Sequence, residues 1–193
     1  VIYFISSGKA MARLTRGAEK LAWALAYFGV EVRGAACCDL GAHVGGFSAA
    51  LLAAGARRVY AVDTARGVLD WNLRNDPRII AMENTNALHV ELPEKVALVT
   101  IDVGWTRQAA ILPRAATLIA AGGKILSLIK PQYEAMGKEK KGGKVCAESL
   151  TAILGRVQQA AEAVMPIREI VRTPFRGCKG GNPEYFMLLE NRG

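Results

Sequence analysis

Apolar runs of strand length, rich in β-branched residues, recur along the chain at 35–40, 58–63, 78–83, 96–103 and 124–130. Between them, 47–54, 65–73 and 108–120 are rich in Ala and Leu and long enough for helices. Strands alternating with helices predict a parallel sheet covered on both faces, a doubly wound α/β fold. Ahead of the first run, 16–27 sets Leu21, Leu25 and Phe28 at helical spacing, with Gly29 as a stop. The stretch 131–145 is rich in Lys and Gly and poor in large apolar residues, which predicts a mobile surface loop. A helix over 147–164 and strands over 166–173 and 184–189 complete the expected sheet. No internal repeat or linker marks a second domain, so residues 1–14 read as a tail or linker and 15–193 as one domain.

The composition fits that picture. At 193 residues, 51% hydrophobic and 22% charged, the chain has enough apolar surface for one core and no signature of disorder. Its apolar runs are too short to cross a bilayer, and the apolar start at 1–7 lacks the basic flank of a secretory signal. Four cysteines, two of them adjacent at Cys37 and Cys38, match neither a zinc spacing nor a disulfide framework, which points to free thiols in a reducing cytoplasm. His43 and His89 have no partner at metal spacing, so no metal is expected. The net charge of +8 makes a polyanion such as RNA or DNA a candidate partner.

In open α/β sheets, ligands sit beyond the carboxyl ends of the strands. Four polar residues end the expected strands: Asp39, Asp63, Asp102 and Lys130. Singly, each reads as a helix cap or a solvated strand end; together they favour a shared site. The first turn, DLGAHVGGF (39–47), carries Gly41, Gly45 and Gly46, which let the backbone bend tightly against a ligand. Its spacing differs from the GxGxxG that brings a helix N-terminus to a pyrophosphate, so a nucleoside cofactor without phosphates fits better than a dinucleotide. The Asp63 carboxylate can accept hydrogen bonds from two ribose hydroxyls, or it can cap the segment that follows.

These motifs, together with RGAEKL (16–21), VYAVD (59–63), TNA (85–87), IDV (101–103), IKPQYE (129–134) and NPEYF (182–186), resemble the TlyA-type hemolysin/rRNA methyltransferases, a branch of the FtsJ-like ribose 2′-O-methyltransferases. The likeness runs from about Thr15 to Glu190. It implies a Rossmann-like class I fold dependent on S-adenosylmethionine, with a mostly parallel seven-stranded sheet and an antiparallel last strand. The family's catalytic Lys-Asp-Lys-Glu tetrad falls on Lys20, Asp102, Lys130 and Glu184, with Lys130 the candidate base. The resemblance also implies a cofactor site at Asp39, Gly41, Gly45, Gly46, Phe47, Asp63, Asn86 and Asp102. It points to ribosomal RNA or ribosomal subunits as partner and to a cytoplasmic setting.

Lys138, Lys140, Lys141, Lys144, Arg172, Arg176 and Lys179 are candidates for RNA phosphates, or else ordinary solvated charge. The chain departs from the family pattern in IDVGW (101–105) where many relatives have IDVSF, and in an apparent extra residue within GCKGGN (177–182). Family members also commonly carry an S4 RNA-binding domain ahead of the methyltransferase, and this sequence has almost nothing there, so either that module has been cut off or RNA is recognised otherwise. Two other readings stay open: a membrane-active hemolysin, for which no amphipathic anchor is seen, and a catalytically silent RNA-binding module, against which the complete tetrad argues.

Overall fold

The computed structural model describes residues 15–176 and 181–190. In chain order the elements are α1 (Arg16–Phe28), β1 (Ala36–Leu40), α2 (Gly46–Ala53), β2 (Arg58–Val62), α3 (Trp71–Arg74), β3 (Ile79–Met82), β4 (Val96–Ile101), α4 (Gln108–Leu118), β5 (Ile119–Ile129), α5 (Pro131–Glu134), β6 (Lys140–Lys141), β7 (Lys144–Val145), α6 (Leu150–Glu162), β8 (Ile167–Arg176) and β9 (Pro183–Glu190). Seven strands form one sheet in the order β3-β2-β1-β4-β5-β9-β8. The first five pair in parallel, and β9 runs antiparallel to both β5 and β8. This is the doubly wound sheet that the hydrophobic pattern predicts, with the reversed last strand that the family resemblance implies.

The period-two alternation of strand side chains sorts the core into two layers. Cys37, Val59, Leu98, Leu126, Leu128, Phe186 and Leu188 face α1 and α2, where Leu21, Leu25, Phe28 and Leu51 cover them. Cys38, Tyr60, Val99, Ile125, Met187 and Leu189 face the other way onto Ile111, Leu112 and Ala115 of α4 and Val157 of α6. The adjacent cysteines thus lie on opposite faces of β1, and burial holds both as thiols, with Cys37 pushed up to about 12 and Cys38 well above its ordinary value. Each fully buried Leu or Ile contributes about 1.5–3 kcal/mol, so this double layer dominates the stability. Helix α1 is well delimited: the Thr15 hydroxyl accepts from the Ala18 N–H at 3.3 Å, and Gly29 closes the other end in a left-handed conformation.

Three segments differ from the sequence expectation. Over 65–73 only Trp71–Arg74 is helical, because side chains take the amide protons that a longer helix needs: Asp63 accepts from Ala65, Glu83 from Gly67 and Leu69, and Asp70 from Asn72 and Leu73. Strand β5 starts at Ile119 rather than 124, with a register shift between Val96 and Leu98 opposite it, so the glycines at 122 and 123 bend a strand rather than precede it. The stretch 131–145, expected as a mobile loop, is built instead from α5, a 3₁₀ turn at Gly137–Glu139 and the antiparallel hairpin β6–β7. Gly142 and Gly143 both have positive φ and close that hairpin in two residues.

Candidate active site

Because β1, β2, β4 and β5 are parallel, the loops leaving their C-termini open on one edge of the sheet. The reversal of β9 brings its first residues to the same edge, where Tyr185 stands opposite Ile129. Helix α1 adds Lys20 from the layer above. The result is a cavity of about 730 Å³ bordered by Gly41, Gly46, Phe47, Asp63 and Asn86 on one side and by Lys20, Asp102, Lys130 and Glu184 on the other.

The first half is a backbone cradle. Gly41 has φ +89°, and a Cβ there would stand 2.9 Å from the Asp102 carbonyl oxygen, so only glycine lets the first turn pass so close to the end of β4. At Gly46 a Cβ would meet the Thr15 hydroxyl at 2.9 Å and Gly17 Cα at 3.0 Å, which fixes glycine where the starts of α1 and α2 touch. Asp63 holds this turn: its Oδ2 accepts the His43 N–H at 2.8 Å and its Oδ1 accepts the Ala65 N–H at 2.8 Å. Each oxygen keeps a lone pair, so the capping role and a ligand role coexist. Asn86 borders the cavity with its Oδ1 already accepting the Leu88 N–H at 3.0 Å.

Two members of the expected cofactor set lie behind the cavity rather than on it. Gly45 turns the loop with φ +93°, and a Cβ there would meet the Leu69 and Leu73 side chains. Asp39 is wholly buried and accepts from the Ser48 hydroxyl at 2.7 Å and the Thr100 hydroxyl at 3.1 Å, so it ties α2 and β4 to β1 instead of reaching a ligand. Burial, reinforced by the Asp102 charge and opposed by the two hydroxyls, pushes its carboxyl up to about 7.

The second half holds two ion pairs. Lys20 Nζ lies 2.5 Å from Glu184 Oε2, with both side chains buried, and Lys130 Nζ lies 2.5 Å from Asp102 Oδ1. Lys130 also stands 5.9 Å from the centre of the Tyr133 ring, and Trp105 packs on that ring at 4.9 Å. Trp105 is 82% exposed at the cavity rim and has φ +65°, an uncommon conformation for a bulky residue. All four residues that the tetrad predicts therefore converge. Trp105, Tyr133 and Gln132 also border the cavity. Each sits inside a quoted motif, but only contact with the cavity gives it a part.

Lys138, Lys140, Lys141 and Lys144 are exposed on the hairpin and the turn before it. The hairpin is braced: Glu139 forms a forked ion pair with Arg156, and Asn182 bonds to the backbone of Val145 and Gly143. Arg172 is exposed on β8, Arg176 ends that strand, and Lys179 lies outside the described residues.

Residues 14–168 match the family model of the FtsJ-like methyltransferases. The chain is 37% identical over 188 residues to the 16S/23S rRNA (cytidine-2′-O)-methyltransferase TlyA of Mycobacterium tuberculosis, covering 94% of this chain and 69% of that protein. It is 33% identical over 184 residues to Hemolysin A of Brachyspira hyodysenteriae, covering 89% of this chain and 74% of that protein. A solved structure from Streptococcus thermophilus, described as a hemolysin, superposes with a TM-score of 0.88 at 32% identity, covering 96% of this chain and 69% of the other. With the reversed-strand sheet, the glycine cradle and the converging ion pairs in agreement with these likenesses, the chain belongs to the FtsJ-like methyltransferase family.

Proposed function

We propose that this chain methylates a ribose 2′-hydroxyl of RNA, using S-adenosylmethionine, and that ribosomal RNA is its substrate in the cytoplasm. The observation that carries this reading is the placement of the Lys20–Glu184 and Lys130–Asp102 pairs on the same cavity as the glycine cradle and Asp63. The name of the M. tuberculosis relative supports the ribose and the ribosomal substrate. On this reading residues 15–193 act as the methyltransferase domain and 1–14 as its tail or linker.

The cavity suits a nucleoside-type cofactor. The turn at Gly41 exposes backbone where a side chain would intrude, Asp63 retains acceptor capacity for a ribose diol, and Asn86 has an amide group and a lone pair for the base. When bound, S-adenosylmethionine supplies a methyl group on a cationic sulfur that is an excellent leaving group. What the chain must add is alignment of the acceptor and removal of its hydroxyl proton. Lys130, in its neutral form, is the proposed acceptor of that proton, and Asp102 at 2.5 Å stabilises the ammonium that results. The Lys20–Glu184 pair walls the other flank with fixed charges that need no reorganisation during reaction. The exposed lysines of the hairpin are proposed to hold phosphates on either side of the acceptor nucleotide.

No helix among the described residues is long and apolar enough to cross a membrane. The decisive experiment is mass spectrometry of ribosomal RNA from cells with and without the gene, paired with methyl incorporation by the purified full chain. A 2′-O-methyl mark that vanishes with the gene is the expected result. Unchanged ribosomal RNA together with no incorporation in vitro overturns the reading.

A further inference from the structure

The NPEYF motif contributes Glu184 to the site, but its first residue has a different task. Asn182 is 4% exposed, and its side chain holds the hairpin at two points: Oδ1 accepts the Val145 N–H at 2.9 Å, and Nδ2 donates to the Gly143 carbonyl at 2.8 Å. Two residues on, beyond the rigid Pro183, the Glu184 carboxylate meets Lys20. The hairpin on both sides of Lys144 is therefore bolted to the strand start that carries Glu184. A second link reaches the other ion pair: Lys140 Nζ donates to the Gln132 carbonyl at 3.1 Å, and Gln132 lies two residues after Lys130. The hairpin thus touches the backbone beside both pairs. A hairpin that served only to attract RNA would have no need of a buried amide whose hydrogen-bonding groups both clamp its tip.

We propose that Asn182 is a positioning residue that fixes the basic hairpin in register with the Lys20–Glu184 pair, so that phosphates captured by Lys140, Lys141 and Lys144 place the acceptor ribose over the site. This rests on the RNA reading above. Without the clamp the lysines still attract RNA, but the captured strand is no longer aligned with the reacting edge, and misplacement of about 1 Å lowers turnover by about 10²-fold.

The test is a double-variant cycle in the full chain with ribosomal RNA as substrate, combining Asn182→Ala with the joint variant Lys141→Ala, Lys144→Ala, which leaves the Lys140 link to Gln132 in place. Asn182→Ala is expected to lower kcat for methyl transfer by about 10²-fold while RNA binding by fluorescence anisotropy and cofactor binding by calorimetry stay within about twofold. In the Asn182→Ala background, removing the lysines should cost far less turnover than in the wild type, because their alignment is already lost. If Asn182→Ala fails to fold, Asn182→Asp, which keeps the acceptor for Val145, carries the same cycle. Additive losses, an unchanged kcat, or a parallel fall in cofactor affinity overturn the proposal. Absence of any methyl transfer by the wild-type chain overturns the functional reading instead.

Discussion

Lys20, from the first helix, and Glu184, from the last strand, meet at 2.5 Å in the interior of the site, with side chains 8% and 4% exposed. Removing one partner strands the other charge in a low-dielectric setting, which costs about 3–5 kcal/mol. Lys20→Met should therefore lower stability by that order in urea denaturation and abolish methyl transfer. Combining it with Glu184→Leu should restore most of the stability and none of the activity. A double variant that regains activity would show the pair to be scaffolding alone.

The companion pair makes a different demand. Lys130→Ala should reduce methyl transfer by about 10²- to 10⁴-fold, the usual cost of losing a general base, with cofactor affinity nearly intact. Lys130→Arg should fail as well, since a guanidinium cannot give up its proton to become a base. Rescue by arginine would mean that the position supplies a fixed positive charge and that water removes the proton.

Asp63 both holds the first turn and faces the cavity, so two substitutions are needed to separate these parts. Asp63→Ala should weaken S-adenosylmethionine binding by about 1.5–3 kcal/mol for each charge-assisted bond lost, read by calorimetry. Asp63→Asn keeps one acceptor for the His43 or Ala65 amide and should be intermediate. Equal affinities for wild type and Asp63→Ala would confine the residue to bracing the turn.

Asp39 sets a pH signature. Its carboxyl is raised from 3.8 to about 7, so between those values the folded chain keeps a proton that the unfolded chain has lost. Its contribution to stability is therefore present at low pH and declines as pH rises toward 7. Asp39→Asn removes that dependence while keeping an acceptor for Ser48 or Thr100. Relative to wild type, the variant should gain on the order of 3 kcal/mol between pH 5 and pH 8 in denaturant titrations. A constant difference across that range would mean that Asp39 titrates like an exposed carboxylate.

The sequence discloses the sheet readily because that depends on local pattern: β-branched runs mark the strands, and polar residues mark their ends. It discloses the tetrad only through the family resemblance, since Lys20 lies in a helix and Glu184 near the start of a strand. It discloses the remaining contacts poorly because these cross large sequence separations. Asp39 ends an apolar run just as Asp63 and Asp102 do, yet Ser48 and Thr100 turn it inward, and neither hydroxyl advertises that partnership. The stretch 131–145 reads as loop because its composition is polar, whereas its order comes from Arg156 and Asn182, both outside it. The helix expected over 65–73 shrinks to one turn because Asp63 and Glu83, which flank the segment, compete for its amides.

Strand β9 is the last element described, yet it lies between β5 and β8, not at the edge of the sheet. During synthesis the cradle half of the cavity, carried by β1, β2 and β4, can assemble while the segment that carries β9 is still being made. Glu184 cannot arrive until β9 has emerged and inserted beside β5. Until then β5 presents an unpaired edge, and Lys20 has no carboxylate to meet. Closure of the cavity is thereby tied to the arrival of β9: a chain interrupted before Pro183 retains the glycine turn and Asp63 but lacks the wall that Glu184 supplies.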